Sequence, residues 1–227
     1  MDPLQNTDPL LSFLGQPRLP VVPIRDASCP THALVTHLHL DHFDVETLRR
    51  VLGREGSVFC HKAVADDIGA AELRVHGLAI SETHAIGGVR VTPVPAHDWR
   101  GDDQVSWVIE TEGVRIFHGG DTIWHGYWWQ IARKHGPFDR AFLPVNGVVA
   151  VYPGLEPSGV PATLTPEQAV IATRLLRARA LCPMHYEMFN NPPIYVEQSN
   201  LSTRLKLAAD QENVSLDIVA PGEQVFL

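Results

Sequence analysis

Three histidines and two aspartates lie within nine positions in the segment Thr-His-Leu-His-Leu-Asp-His-Phe-Asp, residues 36–44, directly after the apolar run His-Ala-Leu-Val. Imidazole and carboxylate groups without thiolates suit zinc, manganese or iron. His37 and His39 project alike from an extended chain and can bind one ion, whereas Asp41 and His42 would serve a second ion after the chain turns. Because burying these groups without partners would cost several kcal/mol, the segment predicts a metal site.

Candidate ligands also follow three other predicted strands, and they are His97, Asp121 and His185. Loops that follow neighbouring strands meet at one edge of a sheet, so these residues are expected to converge on the first segment. Seven donors are too many for one tetrahedral site but suit two ions that share a carboxylate, for which Asp121 is the candidate. The glycines at 119 and 120 would let the backbone approach the ions. The predicted metal ligands are His37, His39, Asp41, His42, His97, Asp121 and His185.

The elements that must position these residues are short strands and amphipathic helices. Asp44 predicts a helix N-cap before residues 45–52, and Thr165, Pro166 and Gln168 form the pattern of a capping box. The clearest hairpin covers 104–121, with its turn at Glu112-Gly113. The predicted helices cover about residues 45–52, 62–72, 127–136, 164–179 and 201–211. Other predicted strands cover about residues 32–36, 57–61, 89–96, 138–144, 180–184 and 215–220, and residues 1–31 are expected to be irregular.

Composition narrows the classes of function. The 227 residues carry a formal net charge of −8, which disfavours nucleic acid as a partner and leaves a small-molecule substrate. No stretch approaches the roughly 20 apolar residues of a membrane span, so no stable membrane insertion is expected. The start has no pattern of a signal peptide, and Cys29, Cys60 and Cys182 are too sparse for a disulfide framework. These features together predict a cytoplasmic protein.

The motifs Thr-His-Leu-His-Leu-Asp-His, Pro-Ala-His-Asp, His-Gly-Gly-Asp-Thr and Pro-Met-His-Tyr, in this order, resemble the metallo-β-lactamase fold superfamily. The pattern is most similar to the branch of ascorbate-6-phosphate lactonase-like proteins and N-acylphosphatidylethanolamine-hydrolysing phospholipase D. The stretches Leu-Pro-Val-Asn-Gly and Thr-Pro-Glu-Gln-Ala strengthen that similarity, which spans about residue 7 to the end. The resemblance implies one α/β (α+β) hydrolase domain over 1–227, a four-layer αββα sandwich of two mixed sheets with the metal site at the sheet edge.

The resemblance also implies a role for each ligand. His37, His39 and His97 would bind the first ion, Asp41, His42 and His185 would bind the second, and Asp121 would bridge them. One departure is that the usual opening strands are not seen before Asn6. An unpaired sheet edge would follow, and it leads us to expect a homo-oligomer, most simply a symmetric dimer.

The expected activity is hydrolysis of a small ester, lactone or phosphoester by a hydroxide bound between two divalent ions, zinc first, with manganese or iron as alternatives. Asp41 would orient this nucleophile or take its proton. A neutral imidazole near the leaving group could act as the acid, and His118 and His125 are the candidates.

Four residues are predicted to contact substrate, and they are Trp124, His125, Asn146 and Tyr186. The aromatic residues after Asp121 could equally be the packed core of a short helix. At the level of function, a diiron oxidoreductase is disfavoured because histidine stands at position 39 where such proteins have glutamate. The main alternative is a metal-binding protein of the same fold without catalytic activity.

Overall fold

The computed structural model describes residues 5–24 and 31–225. The α-helices within these ranges are Leu11–Leu14 (α1), Val45–Leu52 (α2), Ala65–Gly69 (α3), Trp128–His135 (α4), Pro166–Leu176 (α5) and Leu201–Glu212 (α6). Single turns of 3₁₀ helix precede α1 and α3, at Asp8–Leu10 and Lys62–Val64. The strands are Ala33–Leu34 (β1), Val58–His61 (β2), Val75–Leu78 (β3), His84–Ile86 (β4), Val89–Pro95 (β5), Val105–Thr111 (β6), Val114–His118 (β7), Phe138–Pro144 (β8), Val149–Ala150 (β9), Ala178–Met184 (β10), Tyr195–Val196 (β11) and Ser215–Leu216 (β12).

The strands form one large and two small sheets. The large sheet has the order β12-β10-β8-β7-β6-β5-β4, in which β12, β10, β8 and β7 are parallel and the remaining pairs are antiparallel. A second sheet contains β1, β2 and β3 in parallel register, and β9 pairs with β11 in an antiparallel ribbon. The mixed direction of the large sheet fits a chain in which hairpins and strand–helix–strand units alternate.

Alternate residues of β2 show how the layers are stacked. Phe59 packs against Trp107 of β6 between the two sheets, whereas Val58 and Cys60 face α2 and α3. The Trp107 indole N–H donates to the carbonyl of Val35, 3.1 Å away, and so ties the sheets together. Such alternation is expected of a strand buried on both faces.

The helices α4, α5 and α6 cover the other face of the large sheet. Phe117 and Phe138 pack there against Trp128 of α4, and Val170 of α5 and Leu205 of α6 complete the same cluster. The order helix, sheet, sheet, helix is the predicted α/β sandwich, with two sheets flanked by helices.

Local capping explains where two helices begin. The Asp44 carboxylate accepts a hydrogen bond from the Thr47 backbone N–H (3.0 Å), and α2 ends before Gly53 as predicted. Thr165 and Gln168 form the predicted reciprocal capping box of α5, with Pro166 at its first position. These caps satisfy backbone N–H groups that the first turn of a helix cannot pair.

Other elements differ from the prediction. The strands β3, β4, β9 and β11 and the helix α1 were not predicted, and the first strand is only two residues long. Cys60 and Cys182 are buried free thiols, whereas Cys29 lies outside the described residues. Within residues 5–24 and 31–225, none of the helices combines the length and apolar character that crossing a bilayer requires.

Candidate metal centre

A tight turn after β1 brings the first group of ligands together. The backbone N–H groups of His42 and Phe43 both donate to the carbonyl of His39, at 2.9 Å. The rings of His37 and His39 have centroids 4.4 Å apart, and those of His37 and His42 lie 4.2 Å apart. The segment is therefore compact enough to present several side chains to one point.

A glycine turn after β7 brings Asp121 to the same place. Gly120 has φ of 62°, in the left-handed region, and a Cβ there would lie 3.0 Å from the Cβ of Thr36. Only glycine fits both the backbone conformation and this close approach to the segment after β1. The close approach seen here is to Thr36, so the expected approach of the backbone to bound ions stays a prediction.

Two carboxylates and two imidazoles converge in a buried cluster of Asp41, His42, Asp121 and His185, whose potential ligand atoms all lie within 4.8 Å of one another. The Nε2 atom of His185 lies 3.2 Å from Asp41 and 3.0 Å from Asp121. The Nε2 atom of His42 lies 3.4 Å from Asp41 and 3.2 Å from Asp121. The structure thus brings together four residues that are separated by up to 144 positions in the sequence.

The cluster is strongly coupled electrostatically. Burial alone would raise the pKa of Asp41, but the charge of His42 and hydrogen bonds with His185 and His42 hold that pKa well below its usual value. Burial also opposes ionisation of Asp121, yet His185 and His42 hold its pKa well below the usual range. Burial would lower the pKa of His185, but Asp121 and Asp41 raise it to about 10. Two ionised carboxylates therefore lie side by side in a buried site.

A second group forms around His39. Its Nε2 atom lies 2.9 Å from a carboxylate oxygen of Asp102 and 3.9 Å from one of Asp98. Asp98 is buried, and this burial raises the pKa of its carboxyl. His39, Asp98 and Asp102 have potential ligand atoms within 4.8 Å of one another. The sequence interpretation did not include either aspartate.

The structure places His97 differently from the expectation. Its side chain is exposed, and its ring stacks near Tyr127 at a centroid distance of 5.7 Å. Adjacent residues of an extended chain project to opposite sides, so only one of His97 and Asp98 can face inward, and here it is Asp98. The sequence Pro-Ala-His-Asp alone does not indicate which of these two side chains faces inward.

A cavity of about 350 Å³ opens at the buried cluster. Its polar end contains Asp41, Asp121 and His185, and Arg100 is its single arginine or lysine among the described residues. Its walls are mostly apolar, and they include Leu10, Phe13, Leu14, Trp99, Val148 and Leu155. Two tyrosines, Tyr152 and Tyr195, also line it.

None of the four residues predicted to contact substrate lines this cavity. Trp124 packs against the core below α4, and the ring of His125 stacks on Trp128 with centroids 4.3 Å apart. Asn146 is buried behind His185, and Tyr186 packs beside the core. Core packing, the alternative for the aromatic residues after Asp121, describes the positions of Trp124 and His125, whereas Asn146 and Tyr186 line a smaller cavity that shares Asp41 and His185.

His118, a predicted acid, also lies outside the cavity lining. Its Nδ1 atom accepts a hydrogen bond from the backbone N–H of Gly120 at 3.3 Å. It therefore shapes the turn that carries Asp121. The residues that sequence reasoning missed, Asp98, Arg100, Tyr152 and Tyr195, lie in loops or very short strands and carried no spacing signal.

The donor set fits divalent cations. The buried cluster contains two carboxylates whose positive partners are two histidines, and Cys60 and Cys182 lie in other parts of the fold. Buried adjacent carboxylates require compensation by cations, and oxygen and imidazole donors suit zinc, manganese or iron.

Sequence comparison places this geometry among known proteins. Residues 6–186 match the model of a β-lactamase superfamily domain. A metal-dependent hydrolase of Thermococcus onnurineus is 30% identical over 84% of this chain and 79% of its own. A metal-dependent hydrolase of Thermococcus kodakarensis is 29% identical over 97% of this chain and 90% of its own.

Solved structures agree in fold. Igni18, a metallo hydrolase of Ignicoccus hospitalis, matches with a TM-score of 0.67 and 24% identity over 86% of this chain and 78% of its own. CmlA, a diiron β-hydroxylase of Streptomyces venezuelae, matches with a TM-score of 0.68 and 17% identity over 84% of this chain and 44% of its own. These likenesses show the fold, while the family match and the relatives carry the classification. The chain belongs to the β-lactamase superfamily and is a metal-dependent hydrolase of that superfamily.

Proposed function

We propose that the protein hydrolyses small, uncharged carboxylic esters or lactones with a compact apolar body, using two divalent metal ions. The observation that carries this proposal is the cavity of about 350 Å³, which has carboxylates and imidazoles at one end and apolar walls elsewhere. That volume is near the lower end for small-molecule sites, about 300–1,000 Å³. A small molecule with a compact apolar body matches this volume.

Two groups of residues would hold the ions. Asp41, His42 and His185 would hold one, and Asp121 would bridge to the other. The other would be held by His37 and His39 with a donor from the turn at 97–98, where the structure turns Asp98 inward. Ions bound there would lower the pKa of a water molecule and polarise the bond that is attacked.

Asp41 has the properties of a proton acceptor and orienting group. Its carboxyl is held ionised by His42 and His185, and it lines the cavity. An ionised carboxylate at this position can accept a hydrogen bond from the attacking water and fix the direction of its lone pair. The sequence analysis predicts the same role, which the burial and pairing of Asp41 support.

Tyr152 can stabilise charge that develops on the substrate. Burial, and then the nearby negative charges of Asp41 and Asp121, raise its pKa, so the phenol keeps its proton at neutral pH. A protonated phenol in the cavity wall can donate to the carbonyl oxygen as that oxygen becomes negative.

The charges of the cavity favour a neutral substrate. Arg100 lies 3.4 Å from Asp102, so its charge is already partly balanced. Apart from the proposed ligands His39 and His185, the other ionisable groups that face the cavity at this end are the carboxylates of Asp41, Asp98 and Asp121. Phosphomonoesters, with up to two negative charges, would meet few cations beyond the metal ions themselves.

The experiment compares substrates on protein loaded with zinc, manganese or iron after chelation. p-Nitrophenyl butyrate and a γ-lactone should be hydrolysed in a metal-dependent manner and faster than bis(p-nitrophenyl) phosphate. Asp121→Asn, which preserves the shape of the bridge residue, should remove this activity. Preferential cleavage of the phosphodiester would overturn the ester assignment, and no hydrolysis by loaded protein would favour the alternative of a metal-binding protein without catalysis.

A further inference from the structure

Asn146 is buried directly behind His185, on the side away from the carboxylates. Its Nδ2 atom lies 3.2 Å from His185 Nδ1 and 2.8 Å from the Tyr195 hydroxyl, and its Oδ1 accepts a hydrogen bond from the Thr163 hydroxyl. Asn146, Thr163 and Tyr195 are each 5% exposed or less. The amide is therefore enclosed by one imidazole and two hydroxyls.

The backbone around this amide is held on both sides. The Val145 N–H donates to Met184 O, and the Gln198 N–H donates to Asn146 O, both at 3.2 Å. Gly147 follows with φ of 51°, and a Cβ there would lie 2.8 Å from the Gln198 side chain. The side-chain amide can turn about its own axis while its backbone stays in place.

The two nitrogens of His185 have different tasks. Nε2 faces Asp41 and Asp121, so this nitrogen would bind a metal ion. A neutral imidazole that gives Nε2 to a metal carries its proton on Nδ1, and that N–H needs an acceptor. The amide as placed directs its NH₂ group at Nδ1, and this orientation offers no acceptor to an Nδ1–H group.

We propose that Asn146 is a positioning residue for His185, and that in the metal-loaded protein its amide is reversed, so that Oδ1 accepts from His185 Nδ1–H. The two hydroxyls permit this reversal because each can donate or accept. Tyr195 then donates to Oδ1, and Thr163 accepts from Nδ2, so no buried hydrogen bond is lost. This inference rests on the proposed role of His185 as a ligand.

Zinc affinity, measured by competition with a chelating dye, separates the two amide orientations. Asn146→Leu removes the acceptor and should weaken zinc binding by about 10- to 100-fold. Asn146→Asp offers only acceptors and should bind zinc at least as tightly as the wild type. If Asn146→Asp instead binds zinc more weakly than Asn146→Leu, a carboxylate is facing an unprotonated Nδ1, and the proposal is overturned.

Gln211→Ala is the matched control, because it removes an amide from an exposed position on α6 and should leave zinc affinity unchanged. Nitrogen-15 NMR of the histidine rings tests the wild type directly and does not depend on how the variants fold. The His185 ring of zinc-loaded protein should carry its proton on Nδ1, and a proton absent from Nδ1 would contradict the proposal. Because both readouts are independent of turnover, failure of the ester assignment would leave them interpretable.

Discussion

At the scale of single residues, Asp121 is the residue on which binding of both proposed ions would depend. Its two oxygens contact different histidines, Oδ1 facing His42 and Oδ2 facing His185. The turn that carries Asp121 into the site also requires Gly120, whose φ is in the left-handed region. Both histidines belong to the same proposed ion site, so the bridging role that the resemblance implied stays a prediction.

Asp121→Ala should lower activity far more than stability. The substitution removes the pairing of a buried carboxylate with His42 and His185, which costs some stability in the metal-free protein, while metal affinity should fall by about 10- to 100-fold or more. Elemental analysis, turnover and thermal unfolding of metal-free protein measure the three quantities. A variant that keeps two ions and full turnover would show that Asp121 is not the bridge.

The turn at 97–98 gives a second prediction at this scale. Asp98→Asn should reduce the metal content of the site around His39, because the Asp98 carboxylate is buried 3.9 Å from His39 Nε2. His97→Gln alters an exposed ring and should change metal content less. Elemental analysis of both variants after equal dialysis decides the assignment, and a larger loss in His97→Gln would restore His97 as the ligand.

The sequence was informative about residues where spacing itself carries the chemistry. His37, His39, Asp41 and His42 were found together because they lie in one short segment. The choice between His97 and Asp98 could not be made, since it depends on which side of the backbone faces inward. The cavity walls were missed because apolar residues such as Leu10 and Leu155 look the same in a core and in a pocket.

At the scale of elements, α2 is positioned by its N-cap. Asp44 accepts from Thr47 and also from the backbone N–H groups of Gln5 and Asn6, both at 3.2 Å. One carboxylate therefore caps the helix and holds the segment that leads to α1.

Asp44→Ala should destabilise the protein by about 0.5–2 kcal/mol, because the helix loses its cap and two further backbone donors lose their acceptor. Denaturant unfolding measures the change. Glu46→Ala is the control, since Glu46 is exposed in the first turn of the same helix and forms a solvent-exposed ion pair with Arg49. Equal free energies of unfolding for the two variants would rule out the capping role.

The pairing of β2 and β3 gives a pH prediction. The ring of His76 stacks on Phe59 with centroids 4.7 Å apart, and burial, followed by His84 and Arg74, lowers the pKa of His76. The unfolded chain therefore binds a proton at His76 more readily than the folded chain. The contribution of neutral His76 to the free energy of unfolding is fully present above the pKa of about 6.5 that the residue has in the unfolded chain. This contribution is lost as the pH falls below that value.

Urea unfolding of the wild type and His76→Gln at pH 8, 7, 6 and 5 measures this effect. The wild type should lose more stability than the variant between pH 7 and pH 5. Parallel curves for the two proteins would show that His76 does not contribute to the acid response.

Elements with caps or sustained patterns were predictable, and shorter ones were not. Helices α2 and α5 and the hairpin of β6 and β7 agree with the sequence prediction because their signals are local. The two-residue strands β9 and β11 form by pairing with each other, although they are far apart in the sequence. Two residues cannot show a period, so this pairing left no trace in the sequence.

At the scale of the whole molecule, the sheet edges bear on assembly. Among the described residues, β1 is paired only on the side of β2, and its other edge is open to a partner. A homo-oligomer, most simply a symmetric dimer, remains our prediction. Sedimentation velocity at micromolar concentration should give about twice the chain mass of 25.1 kDa, and a single species at the chain mass would contradict it.

The short helix α1 has a consequence for how this enzyme can change over evolution. Leu10, Phe13 and Leu14 form part of the cavity wall, whereas the proposed ligands come from segments between residues 37 and 185. One part of the cavity wall thus lies outside the stretch of chain that contains the proposed ligands. Substitutions in α1 can change which molecules the cavity accepts while the proposed metal ligands stay intact. Related proteins can therefore diverge in substrate and retain one reaction.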